Sequence, residues 1–165
     1  MKELNCDLFS LLDSFDAICI TTNSVIGSDG RAVMGAGCAL ECAKRWPATP
    51  EILASLLTRS ERNIPFQLGI VTSGVFTEHV SIDSFKSECR IFSFPTKYDY
   101  LDKSDLDLIK ASCHYMVQHA DNIGLDFIAL GRIGCGYGGL LWNDVKPVIA
   151  KILDERFYIV HLDGK

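Results

Sequence analysis

Asp126-Phe127-Ile128-Ala129-Leu130-Gly131-Arg132-Ile133-Gly134-Cys135-Gly136-Tyr137-Gly138-Gly139-Leu140 runs a short apolar segment into a loop with five glycines in ten residues. Beyond it, Val145, Val148, Ile149, Ile152 and Leu153 recur at helical spacing. The stretch therefore reads as a buried strand (126–130), a glycine-rich loop (131–140) and an amphipathic helix. The same order occurs upstream. Residues 16–21 (DAICIT) form an apolar, β-branched run, and a loop with Gly27, Gly30 and Gly35 follows. From Ala36, the positions Ala39, Cys42, Ala43 and Trp46 keep helical spacing until Pro47 stops them.

The rest fits between these two units. A short helix is predicted over 51–59. Strands are predicted over 67–73 and 75–80, joined at Gly74, and over 90–94, ending at Pro95. Ser104 reads as an N-cap with Asp107 three residues on, and Leu106, Ile109, Cys113, Met116, Val117 and Ala120 make one apolar stripe closed by Gly124. A last strand is predicted over 157–162. Strands alternate with helices, and several strand runs lack polar alternation. This predicts α/β architecture with helices on both faces of the sheet.

Composition narrows the function classes. The chain has 165 residues, 48% of them apolar, and 16 Lys+Arg against 21 Asp+Glu leave a net charge of −5. One domain with a full core is expected over 1–165. Disorder is excluded by the apolar content. A basic wrapper of nucleic acid is excluded by the sign of the charge. A membrane span is excluded because no apolar run approaches ~18–20 residues. The start, Met1-Lys2-Glu3-Leu4-Asn5, has no signal-peptide apolar region. The seven cysteines are odd in number, form no CxxC pair and sit mostly in apolar segments. A reducing, cytoplasmic setting and no disulfide framework are expected. Cys38 and Cys42 lie one helical turn apart without a companion pair, so no metal is expected.

Three loops follow core strands, where ligands sit in open α/β sheets. The first holds Thr22 and Asn23, then Gly35-Ala36-Gly37 at a helix start, whose free N–H groups and dipole suit an anion. The second is the loop 131–140, whose backbone can approach a ligand closely and converge N–H groups into an anion nest. It lacks the Gly-Lys-Ser/Thr of a Walker A loop, and the first helix lacks a Rossmann GxGxxG. Together the two loops suggest a diphosphate held by backbone amides, which lets an acidic chain bind an anion. The third loop carries Lys97 just past a strand end, beside Pro95, Tyr98 and Tyr100. A partly desolvated lysine there is a candidate nucleophile. His79, His114, His119 and His161 form no recognisable site, and neither GxSxG nor HExxH occurs.

In this order the segments resemble the macro domain, the ADP-ribose-binding module. Cys6-Asp7-Leu8-Phe9 is similar to the family's early Gly-Asp-Leu-Phe element, with Cys6 for the glycine. Residues 16–23 resemble the strand ending in the family's asparagine, and 33–47 the glycine loop and helix. Phe94-Pro95-Thr96-Lys97 and 133–142 resemble later elements. Within the superfamily the resemblance is to the branch of DNA ADP-ribosyl glycohydrolase antitoxins and terminal ADP-ribose protein glycohydrolase, with short single-domain forms in bacteria and phages.

The resemblance implies a three-layer α/β/α fold with a mixed, mostly parallel sheet. It implies that Asp7 accepts from the adenine amino group with Leu8 beside it, and that Asn23 contacts the distal ribose. Gly35, Ala36 and Gly37, with Gly134, Cys135, Gly136, Tyr137, Gly138 and Gly139, would cradle the diphosphate and distal ribose. Lys97 matches the lysine this branch uses in removing ADP-ribose. The terminal ADP-ribose glycohydrolase pattern also has an acid/base aspartate in the second glycine loop. Gly138 stands at that position here, so the two-residue mechanism does not carry over; Asp29 and Asp99 are the alternative acids.

The leading expectation is a monomeric hydrolase of ADP-ribosyl linkages, working through Lys97 without a cofactor. The partner is ADP-ribose or an ADP-ribosylated substrate, with DNA only as a modified substrate because the basic residues are scattered. The competing readings are an ADP-ribose 1″-phosphate phosphatase and a non-catalytic ADP-ribose-binding module.

Overall fold

In a computed structural model, residues 1–78 and 88–163 of the chain are described. Strands β1 (Lys2–Asn5), β2 (Ala17–Thr22), β3 (Gln67–Thr72), β4 (Val75–Thr77), β5 (Glu88–Pro95), β6 (Ile128–Leu130) and β7 (Phe157–His161) form one seven-stranded sheet in the order β1-β7-β6-β2-β5-β3-β4. Pairing is parallel from β1 across to β5 and antiparallel from β5 to β3 and β4. The sheet is thus mixed and mostly parallel, as the resemblance implies.

Helices α1 (Gly37–Arg45) and α2 (Thr49–Ser60) cover one face, and α3 (Leu106–Ile123) and α4 (Trp142–Ile149) the other. Alternation along each strand divides the core between the layers. In β2, Ile18 and Ile20 pack with Cys42, Trp46 and Leu53, while Ala17 and Cys19 pack with Ile109, Cys113 and Met116. Because both faces are covered, the central strands read as continuous apolar runs rather than alternating ones.

Several predicted boundaries move. Residues 2–5 pair with β7 as an edge strand that composition does not announce, since three of those four residues are exposed. Leu8–Leu11 is a 3-10 turn capped by Asp7, whose carboxylate accepts from the Phe9 amide at 2.9 Å. The N-cap of α3 is Asp105 rather than Ser104. The Asp105 carboxylate accepts from the Leu108 amide at 3.0 Å, and Ser104 turns inward instead. The last helix begins at Trp142 and ends at Ile149, with turns after it. The strand predicted over 75–80 covers Val75–Thr77, and its last two positions, with His79, lie outside the described residues. Gly124 closes α3 in the left-handed conformation, as predicted. Among the described residues, no helix is long and apolar enough to cross a membrane.

Candidate functional site

β2, β5 and β6 are adjacent and parallel, so their carboxyl ends open on the same edge of the sheet. The chain leaves β2 toward α1 on one face, but leaves β5 and β6 toward α3 and α4 on the other. That reversal opens a crevice between the loops. A cavity of about 590 Å³ occupies it, within the usual range of small-molecule sites.

The three loops singled out in the sequence meet there. Thr22, Asn23, Gly35, Ala36 and Gly37 line one side of the cavity, and Gly134, Cys135, Gly136, Tyr137 and Gly138 the other, with Lys97 between. The glycine loops nearly touch: a Cβ on Gly37 would lie 4.0 Å from the Tyr137 ring. Leu40 donates the first helical hydrogen bond of α1, to Ala36, so the amides of residues 37–39 precede the ladder at the cavity wall.

Turns fold the second loop, with Cys135 donating to Arg132, Gly138 to Cys135, Gly139 to Gly136 and Leu140 to Gly134. Gly134 has φ +77°, which strains any L side chain, and a Cβ there would come within 2.7 Å of Ile109 Cδ1, so a substitution must also shift that isoleucine.

Two side chains brace the crevice. Asn23 donates from Nδ2 to the Val33 carbonyl and accepts at Oδ1 from the Val25 amide, both at 2.9 Å. Its own loop thus uses one donor and one acceptor, and leaves one donor for a ligand. Half-buried Lys97 donates from Nζ to the carbonyls of Asp102 at 3.0 Å and Tyr137 at 3.3 Å. Of its three donors, one is left.

The wall's charge is one-sided. Lys97 and Arg132 are its cations, and among the described residues no carboxylate lines it. Asp29 caps a turn by accepting from the Arg31 amide, and Asp99 does the same for the Leu101 amide. Neither is on the wall of this cavity. The guanidinium of Arg132 lies over the Trp142 ring at 5.6 Å, and its buried Nε has no partner among the described residues.

Asp7, Leu8 and Gly139 are not part of the wall, and Leu8 is buried. Conversely, Thr96, Tyr100, Ser104 and Arg132 line the cavity but were not singled out as ligand contacts from sequence. Arg132 had a legible signal, a cation within two residues of a strand end. Ser104 had none, because its pattern suits a helix cap. Cys38 also faces the cavity, with its sulfur 3.1 Å from Thr21 Oγ1. Burial raises the Cys135 thiol above its ordinary range, partly offset by Arg132. Among the described residues, no cluster of histidine, cysteine or carboxylate could hold a metal.

Architecture and crevice define a macrodomain fold. Solved structures similar to this chain include macrodomains of DarG. The macrodomain of Thermus aquaticus DarG aligns with a TM-score of 0.72 at 23% identity, covering 97% of this chain and 96% of that one. The macrodomain of Mycobacterium tuberculosis DarG aligns with a TM-score of 0.70 at 24% identity, over 96% and 95%. Thermosipho africanus DarTG, solved in complex with ADP-ribose, aligns with a TM-score of 0.74 at 20% identity, over 96% of this chain and 40% of that one.

By sequence, the chain is 32% identical over 62 residues to a DNA ADP-ribosyl transferase–DNA ADP-ribosyl glycohydrolase fusion protein of Thermosipho africanus (strain H17ap60334). That match spans 38% of this chain and 16% of the fusion protein. No family model matches the chain.

Proposed function

We propose that the chain binds ADP-ribose in this crevice and hydrolyses ADP-ribosyl linkages, with an ADP-ribosylated nucleotide in DNA as the substrate class. One observation carries the reading. A chain of net charge −5 holds a cavity lined by two glycine-rich loops, Lys97 and Arg132, with no carboxylate among the described residues. Such a wall suits an anion, and the amides of residues 37–39 ahead of the α1 ladder suit a phosphate. The DarTG structure with ADP-ribose and the local likeness to a DNA ADP-ribosyl glycohydrolase point to the same ligand.

In the reaction, water adds at the anomeric carbon of the distal ribose, the glycosidic bond breaks, and the proton passes to the leaving atom. Lys97 acts at this linkage in one of two ways: as the free amine it displaces the leaving group, and water then hydrolyses the ribosyl-lysine adduct, or as the ammonium it stabilises the negative charge that develops on the leaving atom. The glycine loops hold the diphosphate so that the distal ribose reaches the lysine. We read residues 1–165 as one domain working as a monomer in the cytoplasm.

The test is a turnover panel on ADP-ribosylated single-stranded DNA, ADP-ribosylated protein and ADP-ribose 1″-phosphate, with calorimetry on ADP-ribose. Binding with release of ADP-ribose from DNA, lost in Lys97→Ala while binding persists, is expected. Binding without turnover of any substrate would make the chain a capture module, a reading that Gly138 favours by leaving no acid in that loop. Phosphate release is the third outcome; among the described residues no histidine lines the cavity to support it. Absence of heat with ADP-ribose would overturn the whole reading.

A further inference from the structure

Ser104 is only 7% exposed, its Oγ is buried, and it has no hydrogen-bond partner among the described residues. Leaving a buried hydroxyl unpaired is unfavourable, and native folds rarely keep one without a use. Ser104 lies on the cavity wall, on the loop that also carries Lys97. Its amide donates to the Gly138 carbonyl at 2.8 Å, so serine and glycine are held side by side. A Cβ on Gly138 would overlap Ser104 Oγ and lie 3.3 Å from Ser104 Cβ. The hydroxyl therefore occupies the volume that a side chain at position 138 would need. The neighbouring Tyr137 carbonyl accepts from Lys97 Nζ, which puts the serine at the lysine end of the cavity.

We propose that the Ser104 hydroxyl is a binding contact for the distal ribose, supplying a neutral hydrogen bond from the loop after β5 where Gly138 supplies no side chain. The proposal rests on reading the cavity as an ADP-ribose site with its distal ribose toward Lys97. Because the Oγ is covered in the unliganded protein, the Ser104 side chain turns toward the cavity on binding, and the ribose hydroxyl completes its pairing. A neutral contact also adds no charge beside Lys97.

The experiment is calorimetry of ADP-ribose and of ADP, which lacks the distal ribose, against the wild-type chain and Ser104→Ala, with melting curves of both unliganded proteins. Loss of one hydrogen bond predicts roughly tenfold weaker ADP-ribose binding. ADP binding stays unchanged, and the unliganded Tm does not fall, because the deleted hydroxyl was unpaired. Equal weakening toward both ligands, no weakening toward either, or a lowered unliganded Tm would each overturn the serine's role. Failure of the wild-type chain to bind either ligand would instead overturn the reading of the cavity, and the proposal with it.

Discussion

The ammonium of Lys97 donates to the main-chain carbonyl of Tyr137 at 3.3 Å, joining the loop after β5 to the glycine-rich loop after β6. The second donation, to the Asp102 carbonyl, fixes the lysine from its own loop. The residue proposed to act on the ribose is thus also a clasp between two walls of the cavity. Lys97→Met keeps the length of the side chain and removes both bonds. Turnover of the ADP-ribosylated substrate is expected to fall by roughly 10²–10³-fold, the range for losing one preorganised donor. Stability falls by no more than about 1 kcal/mol. Single-turnover kinetics and denaturant titration check the two arms, and turnover at the wild-type rate would remove Lys97 from the mechanism.

Gly138→Ala places a methyl group where Ser104 Oγ already lies. The Ser104 amide is bound to the Gly138 carbonyl, so the two residues cannot part without losing that bond. Overpacking of this kind costs about 1–3 kcal/mol, a fall of several degrees in Tm for a chain of this size. Ser104→Gly in the same chain removes both obstructing atoms and should recover most of the loss. A double-mutant cycle reads the coupling directly, and strict additivity would show that the two positions do not share the space.

Asp105→Ala tests the cap of α3. Its carboxylate accepts from the Leu108 amide at 3.0 Å, so its removal should cost about 1 kcal/mol and lower Tm by roughly 2–4 °C. Equal losses in Asp105→Ala and Ser104→Ala would contradict the assignment of Asp105 as cap.

Ser104 and Asp105 also show where sequence reading reaches its limit. Both are good capping residues, and spacing to the helix cannot choose between them. The choice is made by Gly138, a residue 34 positions from Ser104 whose missing side chain makes room for the serine. The glycine loops and Lys97 were legible because each follows an apolar strand and glycine is scarce elsewhere in such positions. Their convergence follows from the parallel order β6-β2-β5; alternation of strands and helices implies parallel pairing but not which strands are neighbours. The edge strand Lys2–Asn5 was not legible, since an exposed edge needs no apolar pattern and is defined only by its partner, β7.

The cysteines report on ligand position. Burial pushes the thiols of Cys42, Cys89 and Cys113 up to about 12, and fully buried Cys19 well above its ordinary range. Alkylation proceeds through the thiolate, so these four should resist it in the native state. Cys6, Cys38 and Cys135 are partly exposed, and the last two line the cavity. Iodoacetamide at mildly alkaline pH, read by mass spectrometry, should modify these three. Saturating ADP-ribose should protect Cys38 and Cys135 but not Cys6. Undiminished labelling of Cys38 and Cys135 in the presence of ligand would mean that it binds elsewhere.

A structural ion pair sets the response to acid. Arg156 donates from Nε to Asp154 Oδ1 at 2.9 Å and from Nη2 to Oδ2 at 2.6 Å, and reaches Asp121 on α3 from Nη1 at 2.9 Å. The pairing anchors the turn before β7 to the neighbouring helix. The guanidinium hydrogen bonds hold the Asp154 carboxyl below its ordinary value, against a smaller opposing push from burial. The unfolded chain therefore takes up this proton at a higher pH than the folded chain does. The contribution to stability is complete above the ordinary aspartate value of about 3.9 and is lost as pH falls through the lower, folded value. Asp154 is partly exposed, with 34% of its side chain accessible, so solvent screens the pair. Asp154→Asn should then cost about 1 kcal/mol at neutral pH and moderate salt. Urea titrations of the two proteins should converge as the pH drops below about 3.9, because protonation removes from the wild-type chain what the substitution removes from the variant. A gap that persists undiminished at the acid end would show that the substitution costs packing rather than charge.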